Sequence, residues 1–175
     1  MSPPSAPIHP DDLPGDPGPA YRPNVGIVLF NRQGLVWLGH RDGEAGPQSW
    51  QFPQGGVDPG EALDVAARRE LREETGVRSV APIGRTDRWL SYDFPPEVLA
   101  NKKRARGFKG QKQAWFAFRF DGDDDEIDLF AHGEVEFDAW RWAPIQEAPE
   151  LVAHFKREVY QKVVESFAAL AEARR

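Results

Sequence analysis

The chain has 175 residues, with 22 basic and 28 acidic side chains and a formal net charge of −6. This length suits one domain with a hydrophobic core, and the negative charge excludes a protein that coats nucleic acid non-specifically, because such proteins are basic. The absence of cysteine excludes disulfides, zinc–thiolate sites and a cysteine nucleophile. Neither a membrane-spanning apolar run nor a secretory signal pattern is present. We therefore expect a cytoplasmic protein without a membrane partner.

The first 20 residues contain seven prolines and almost nothing that could pack into a core. Such segments favour extended polyproline II conformations. We interpret residues 1–20 as a flexible tail, either inert or a ligand for a partner protein. A single folded domain is predicted over residues 21–172.

Strands dominate the middle of the chain, and one helix is embedded between them. Residues 24–40 have the branched and aromatic composition of two strands joined by a turn. A helix is predicted over residues 61–75, because Gly76 is a typical C-terminal stop. The remaining predictions are turns in 54–60, extended chain in 79–93, a polar loop over 94–111, strands in 113–120 and 136–144, and an amphipathic helix over 154–172. This order predicts an α/β fold with a mixed sheet between helices.

Charge is distributed unevenly along the chain. Residues 102–112 carry six basic side chains and no acid, whereas residues 121–128 carry six acids and no base. Both segments are consistent with solvated loops. The basic segment also suits an enzyme that acts on polyanions, because such an enzyme needs a local positive surface even when its total charge is negative.

The predicted helix over 61–75 becomes acidic on its core-facing side. If Leu63 defines the direction of the core, Glu70 and Glu74 lie within about 20° of it and Glu73 within about 80°. Burying unpaired carboxylates is costly, and three of them on one side repel one another. A divalent cation with oxygen ligands, Mg²⁺ or Mn²⁺, would resolve both problems.

The alternative is a solvated helix face on which neighbouring arginines, Arg68, Arg69 and Arg72, neutralise the acids. The preceding loop favours the metal site. Gly55–Gly56 lets the backbone approach closely, so that a glycine carbonyl can serve as a neutral ligand. Glu61 is expected to open the helix, where a carboxylate suits the positive end of the helix dipole.

The stretch from Gly55 to Val77 resembles the Nudix box, G-x5-E-x7-R-E-U-x-E-E-x-G-U, where U is apolar. Every fixed position matches: Gly55, Glu61, Arg69, Glu70, Leu71, Glu73, Glu74, Gly76 and Val77. This many matches at fixed spacing make the signal specific. The resemblance implies the Nudix fold and hydrolysis of a nucleoside diphosphate linked to another group.

By this resemblance, Glu70, Glu73 and Glu74 would bind the metal together with the carbonyl of Gly55. Glu70 or Glu73 would alternatively act as the general base on the attacking water, and Arg69 would orient the carboxylates. Two or more Mg²⁺ or Mn²⁺ ions are expected, because water must attack phosphorus within a polyanion whose charge needs neutralising.

Further stretches resemble the bacterial RNA pyrophosphohydrolases, a Nudix subfamily close to the dinucleoside polyphosphate hydrolases. They lie, in order, within residues 21–167: YRPNVGIV, SWQFPQGG, GQKQ, EFDAWRW and FKREVY. The resemblance implies that Glu136 is a further metal ligand or catalytic carboxylate. The alternative for Glu136 is an ordinary edge-strand acid.

The same resemblance implies a substrate-binding set. Arg22 and Lys156 would contact phosphates, and Tyr92 and Phe155 would stack on a base with Gln111 nearby. The alternatives are a solvated position for Lys156 and core positions for the two aromatic rings.

The resemblance predicts removal of pyrophosphate, or of phosphates stepwise, from the 5′ end of tri- or diphosphorylated RNA. The alternative is cleavage of dinucleoside polyphosphates such as diadenosine tetraphosphate. A non-catalytic nucleotide-binding module is a third possibility, but such a module usually has a broken box and this box is intact. DNA is not an expected partner, and the sequence leaves the oligomeric state open.

Overall fold

A mixed sheet of eight strands forms the centre of the fold in the computed structural model, which describes residues 6–172. The strands are β1 (Tyr21–Phe30), β2 (Val36–Arg41), β3 (Trp50–Gln51), β4 (Gln54–Gly56), β5 (Val80–Arg85), β6 (Leu90–Asp93), β7 (Gly110–Phe120) and β8 (Phe137–Ala143). The helices are α1 (Leu63–Thr75), α2 (Pro96–Leu99), α3 (Lys102–Ala105), α4 (Ala148–Leu151) and α5 (Arg157–Glu172). The predicted α/β class with a mixed sheet between helices is confirmed.

The parallel pair of β1 and β7 organises the sheet. The two strands pair from Tyr21 opposite Gly110 to Phe30 opposite Arg119. The strand order is β3–β2–β1–β7–β5, with β4 on β1, β6 on β7 and β8 on β2. All of these other pairings are antiparallel. Because β4 and β6 join at the end where β1 and β7 begin, four strands meet there.

Each face of the sheet carries its own apolar cluster. Val25, Ile27 and Leu29 of β1 pack with the apolar side of α1, whereas Val28 and Phe30 pack with α5. A central strand covered on both faces has apolar residues in succession, and this explains the unbroken apolar run in β1. No helix in the described part of the chain is long and apolar enough to cross a membrane.

The helix boundaries differ slightly from the predicted ones. Glu61 does not open α1, because Ala62 has extended backbone angles (φ −69°, ψ 147°) and the helix begins at Leu63. Gly76 ends the helix as predicted, with φ 77° and its N–H bonded to the Arg72 carbonyl at 2.8 Å. The C-terminal helix begins at Arg157, because Phe155 lies in a preceding 3₁₀ turn.

Two segments expected to be irregular contain regular structure. The predicted loop over 94–111 contains α2 and α3, and the Asn101 side chain accepts a hydrogen bond from the Arg104 N–H at 3.2 Å to cap α3. Gln54–Gly56, predicted as part of a turn, forms β4 against β1. Local sequence propensity favoured turns in both segments. Pairing with β1 stabilises β4, and the Asn101 cap stabilises α3.

The interpretation of residues 1–20 as an unpacked tail is wrong for residues 8–16, which we term the N-terminal strap; residues 1–5 lie outside the described residues. The Leu63 N–H, at the start of α1, donates to the Ile8 carbonyl at 2.7 Å. The Ile8 N–H donates in turn to the Asp64 carboxylate at 3.2 Å. Leu13 is 7% exposed and belongs to the α1-side core. The strap therefore caps the N-terminal end of α1. The Ala62 side chain, at the N-cap position, cannot accept a hydrogen bond.

The far end of the strap is fixed to the sheet. The Trp89 N–H donates to the Pro14 carbonyl at 3.0 Å. Asp16 accepts a hydrogen bond from the Lys112 ammonium at 2.8 Å, and this contact lowers the pKa of the Asp16 carboxyl. Proline restricts the unfolded chain, so a proline-rich segment loses less entropy when it docks than its composition suggests.

Replacing Leu13 by alanine should lower the free energy of unfolding by about 2–3 kcal/mol, because a buried leucine is truncated within the core. Urea denaturation of both proteins measures the difference. Leu99→Ala is the matched control, since Leu99 is 47% exposed and its loss should cost under about 0.5 kcal/mol. Equal, small effects of both substitutions would contradict the docked strap.

Candidate active site

Carboxylates of α1 and of the loop before it surround one guanidinium group. Arg69 donates to Glu61 at 2.8 Å from both Nε and Nη2, and from Nη1 to Glu70 at 2.8 Å and Glu73 at 3.2 Å. Nη2 also donates to the Gly56 carbonyl at 2.8 Å. These contacts tie α1 to the loop before it, and they raise the pKa of Arg69 above its ordinary value. The predicted orienting role of Arg69 is consistent with this geometry.

Burial changes the protonation of two of these carboxylates. Burial raises the pKa of Glu70 to about 7, against the opposing contact with Arg69. Burial, and then repulsion from Glu136 and Glu70, raises the pKa of Glu74 well above its ordinary value. By contrast, the hydrogen bonds from Arg69 lower the pKa of Glu61. Glu61 is thus an ionised partner of Arg69, whereas burial favours the protonated form of Glu70 and Glu74.

Glycine at positions 55 and 56 leaves room for two charged side chains to approach the backbone. A Cβ on Gly55 would collide with the Glu70 carboxylate, and one on Gly56 would collide with the Arg22 guanidinium. Gly55 and Gly56 pair with Val25 and Asn24 of β1, so the strand holds them in place. The close backbone approach expected from the sequence is therefore present, directed at a carboxylate on one side and a cation on the other.

Five carboxylates line a cavity of about 400 Å³, which we term the carboxylate cavity. Its walls are formed by Glu70, Glu73, Glu74, His132, Gly133, Glu134 and Glu136. The structure therefore brings Glu136, from the segment before β8, to the predicted α1 cluster. Sequence reasoning missed His132 and Glu134, and their only signal is proximity to Glu136 along the chain.

A neighbouring cavity of about 290 Å³, the basic cavity, is lined by cations, amides and aromatic rings. Its walls are formed by Arg22, Arg41, Gln51, Gln54, Tyr92, Phe94, Val98, Arg104, Gln111, Glu136, Phe155 and Lys156. All five predicted substrate-binding residues are present. Glu136 lines both cavities, so the two adjoin at this residue.

Sheet register explains how three of the predicted residues meet. Arg22 of β1 lies opposite Gln111 of β7, which lies opposite Tyr92 of β6. Residues opposite one another on paired strands project from the same face. The row therefore places a cation, an amide and a phenol side by side, and the Tyr92 hydroxyl donates to the Gln111 amide oxygen.

Lys156 is buried rather than solvated, with 5% exposure. Its Nζ donates to the amide oxygens of Gln51 at 3.1 Å and Gln54 at 3.3 Å. Burial, and then repulsion from Arg41 and Arg104, lowers the pKa of the Lys156 ammonium to about 7. A buried lysine held only by neutral oxygens is a suitable partner for an incoming anion.

The two predicted stacking rings contact each other. The Tyr92 and Phe155 centroids are 5.8 Å apart with a 45° tilt, whereas a base between them needs about 7 Å, twice the usual carbon contact distance. Tyr92 is buried in the α5-side core and Phe155 is half-buried. As the rings stand, a base does not fit between them, so the stacking role of Tyr92 and Phe155 stays a prediction.

The basic segment over 102–112 does not act as one surface. Arg104 lines the basic cavity. Lys112 faces the N-terminal strap, where it pairs with Asp16, and Lys109 lies over the Tyr21 ring at 5.1 Å. Sequence reasoning named neither Arg41 nor Gln51 as a site residue. Their polar character within strands rich in apolar residues was the available signal.

The donor set fits a divalent cation in its chemistry. Carboxylate oxygens on one cavity wall and a backbone carbonyl beside it are the ligands that Mg²⁺ and Mn²⁺ prefer. As the side chains stand, no three acidic or histidine residues among residues 6–172 converge closely enough to hold an ion. Arg69 binds Glu70 and Glu73 instead, and Glu73 is 42% exposed on its side chain, which leaves it room to rotate. The metal ligands therefore stay a prediction.

Comparison with known proteins identifies the family. The NUDIX domain family model matches residues 20–163. The chain is 62% identical over 153 residues to an RNA pyrophosphohydrolase of Caulobacter vibrioides, covering 87% of this chain and 89% of the relative. It is 48% identical over 169 residues to an RNA pyrophosphohydrolase of Rhodopseudomonas palustris, covering 93% of each.

Solved structures share the fold at lower sequence identity. The Escherichia coli dihydroneopterin triphosphate pyrophosphohydrolase superposes with a TM-score of 0.63 at 20% identity, covering 81% of this chain and 95% of that one. A Caenorhabditis elegans Ap4A hydrolase superposes with a TM-score of 0.56 at 19% identity, covering 83% of this chain and 98% of that one. The fold and the site define a Nudix protein. The family match over most of the chain and the identities to its relatives establish that this chain belongs to the Nudix family.

Replacing Arg69 by methionine should lower the free energy of unfolding by about 2–3 kcal/mol at pH 7.5, because it leaves half-buried carboxylates without their counter-charge. The Arg69 contact lowers the pKa of Glu61 in the folded protein. The contact therefore stabilises the fold fully above pH 4.5, the ordinary pKa of the carboxyl, and this stabilisation is lost as the pH falls through the lowered pKa. The difference between variant and wild type should therefore shrink toward pH 4, as measured by urea denaturation.

Arg68→Met on the same helix is the control for that comparison. Arg68 is exposed and its guanidinium lies 5.2 Å from the Phe118 ring, so its loss should cost under about 1 kcal/mol without the same pH dependence. A stability loss in Arg69→Met that does not change with pH would contradict the counter-charge role.

Proposed function

We propose that this protein is a Mg²⁺- or Mn²⁺-dependent pyrophosphohydrolase that converts 5′-triphosphorylated or 5′-diphosphorylated RNA to 5′-monophosphorylated RNA. The observation that carries the proposal is the junction of the two cavities at Glu136. A polyphosphate held by the cations of the basic cavity extends from there to the carboxylates of α1. The relatives that bear the name RNA pyrophosphohydrolase, at 48–62% identity, support the choice of RNA.

The residues of the carboxylate cavity suit hydrolysis of a phosphoanhydride. Glu70, Glu73, Glu74, Glu136 and the Gly55 carbonyl would hold the metal ions. Such ions supply neutralisation of phosphate charge and an activated water. A carboxylate with a pKa near 7 is effective as a general base at neutral pH, which makes Glu70 a candidate beside Glu73. Arg69 keeps these carboxylates oriented.

The bond changes balance with water as the only co-reactant. The water oxygen attacks a phosphorus atom, and the bond from that phosphorus to its bridging oxygen breaks. Triphosphorylated RNA and water give monophosphorylated RNA and pyrophosphate, or phosphate is released in two steps. The general base takes the water proton. Arg22 and Lys156 would neutralise phosphate oxygens while Phe155 stacks on the adjoining base.

The proposed product places the enzyme at the start of RNA decay in the bacterial cytoplasm, because removal of the terminal phosphates leaves a monophosphorylated 5′ end. Dinucleoside polyphosphates are the second candidate substrate, since they also present a purine beside a polyphosphate. In both substrates the polyphosphate would occupy the two cavities. A non-catalytic module is disfavoured by the complete set of box residues.

A side-by-side kinetic comparison with Mg²⁺ tests the substrate. We expect kcat/KM for 5′-triphosphorylated or 5′-diphosphorylated RNA to exceed that for diadenosine tetraphosphate by about tenfold or more. Such a ratio corresponds to about 1.4 kcal/mol of additional transition-state binding. A decade in favour of the dinucleotide would make the protein a scavenger of small nucleotides. Absence of turnover with all three would refute the proposed substrate class.

Replacing Glu73 by glutamine should lower kcat at least about 100-fold, as expected for loss of a metal ligand or base. Single-turnover hydrolysis of 5′-labelled RNA at saturating Mg²⁺ measures this step. Glu165→Gln serves as control, because Glu165 is exposed on α5, and its activity should equal that of wild type. Metal-independent or unchanged activity in Glu73→Gln would exclude the assigned role.

A further inference from the structure

Gln54 contacts both cavities at once. Its backbone N–H donates to the Glu74 carboxylate at 3.2 Å, on the carboxylate side. Its side chain lies in the basic cavity, where the amide oxygen accepts from Lys156 at 3.3 Å and from Gln113 at 3.5 Å. The amide nitrogen donates to the Gln111 oxygen at 3.3 Å. Every polar atom of this side chain therefore has a partner within the site.

Lys156 determines which way these amides face. Its Nζ donates to Gln51 and Gln54, which therefore turn their amide oxygens toward it. The nitrogen of Gln54 is then the end that meets Gln111. The Gln111 oxygen accepts hydrogen bonds from the Gln54 nitrogen and from the Tyr92 hydroxyl. The Gln111 nitrogen is then left to donate into the cavity that Gln111 lines.

The wall of the basic cavity therefore presents mainly hydrogen-bond donors. The groups presented to the cavity by Lys156, Gln111 and three arginines, Arg22, Arg41 and Arg104, are hydrogen-bond donors. Phosphoryl oxygens are acceptors only, so such a wall complements a polyphosphate at several points. Glu136 is the acidic exception, and it lies where the wall meets the carboxylate cavity.

We propose that Gln54 is a positioning residue that orients Lys156 and Gln111 for binding of phosphoryl oxygens. This inference rests on the proposed function and deepens it. Gln54 acts through these two neighbours and does not itself need to touch the substrate. Because its contact with Glu74 is made by the backbone, substitution of the side chain should affect substrate binding and leave the chemical step nearly intact.

The test compares Gln54→Leu with Gln33→Leu, whose side chain is exposed in the turn between β1 and β2. In Gln54→Leu, KM for the RNA and Kd for inorganic tripolyphosphate without divalent metal should both rise about tenfold, and kcat should change less than about threefold. Gln33→Leu should match wild type. Thermal denaturation checks folding, and Gln54→Met replaces the leucine variant if that variant does not fold.

A double-mutant cycle separates positioning from general disturbance of the fold. In a Lys156→Met background, Gln54→Leu should weaken tripolyphosphate binding by at most about threefold more, because the charged one of the two groups that it positions is already absent. Independent, multiplying effects would overturn the proposal, as would an unchanged Kd or a loss confined to kcat. The tripolyphosphate measurement needs no turnover, so failure of the proposed RNA activity is recognised separately by the wild-type kinetics.

Discussion

The cost of burying carboxylates on the core-facing side of α1 is the constraint on which the rest of the site depends. Two of the three acids lie where an ordinary amphipathic helix would continue its apolar stripe. Arg69 offsets part of this cost by binding Glu61, Glu70 and Glu73 together. What remains appears as raised pKa values of Glu70 and Glu74. A helix with this uncompensated charge is a place where a cation is stabilising.

The surrounding elements hold that charge in place. β4 brings the backbone of Gly55 against the Glu70 carboxylate, in space that a Cβ would otherwise occupy. The N-terminal strap caps the start of α1, and Gly76 ends it. The parallel pairing of β1 with β7 aligns Arg22 with Gln111 beside the same cluster. The strands that carry substrate-binding groups and the helix that carries the carboxylates are therefore fixed relative to each other, which favours catalysis by preorganisation.

The polarity of the basic cavity follows from a single buried cation. Lys156 has no ionised partner among its hydrogen bonds, and its two acceptors are neutral amides. This arrangement keeps the ammonium available for phosphate and orders the amides around it. Such ordering is a property of the whole network, because each amide has one donor end and one acceptor end. A substitution of one residue in this network therefore changes the hydrogen bonds of the others.

The sequence by itself determined the fold class, the helix that carries the acids and the reaction family. The helix and the reaction family depend on the fixed spacing of residues within one continuous stretch, from Gly55 to Val77. The helical periodicity and the glycine positions of that stretch are visible in the sequence itself. Only the tertiary structure decided what lies opposite that stretch. Arg41 and Gln51, on β2 and β3, reach the site through sheet pairing. The strap docks because Leu13 and the strap carbonyls find partners on α1 and near β6. Composition describes a segment in isolation, whereas docking depends on the surface that the rest of the chain presents.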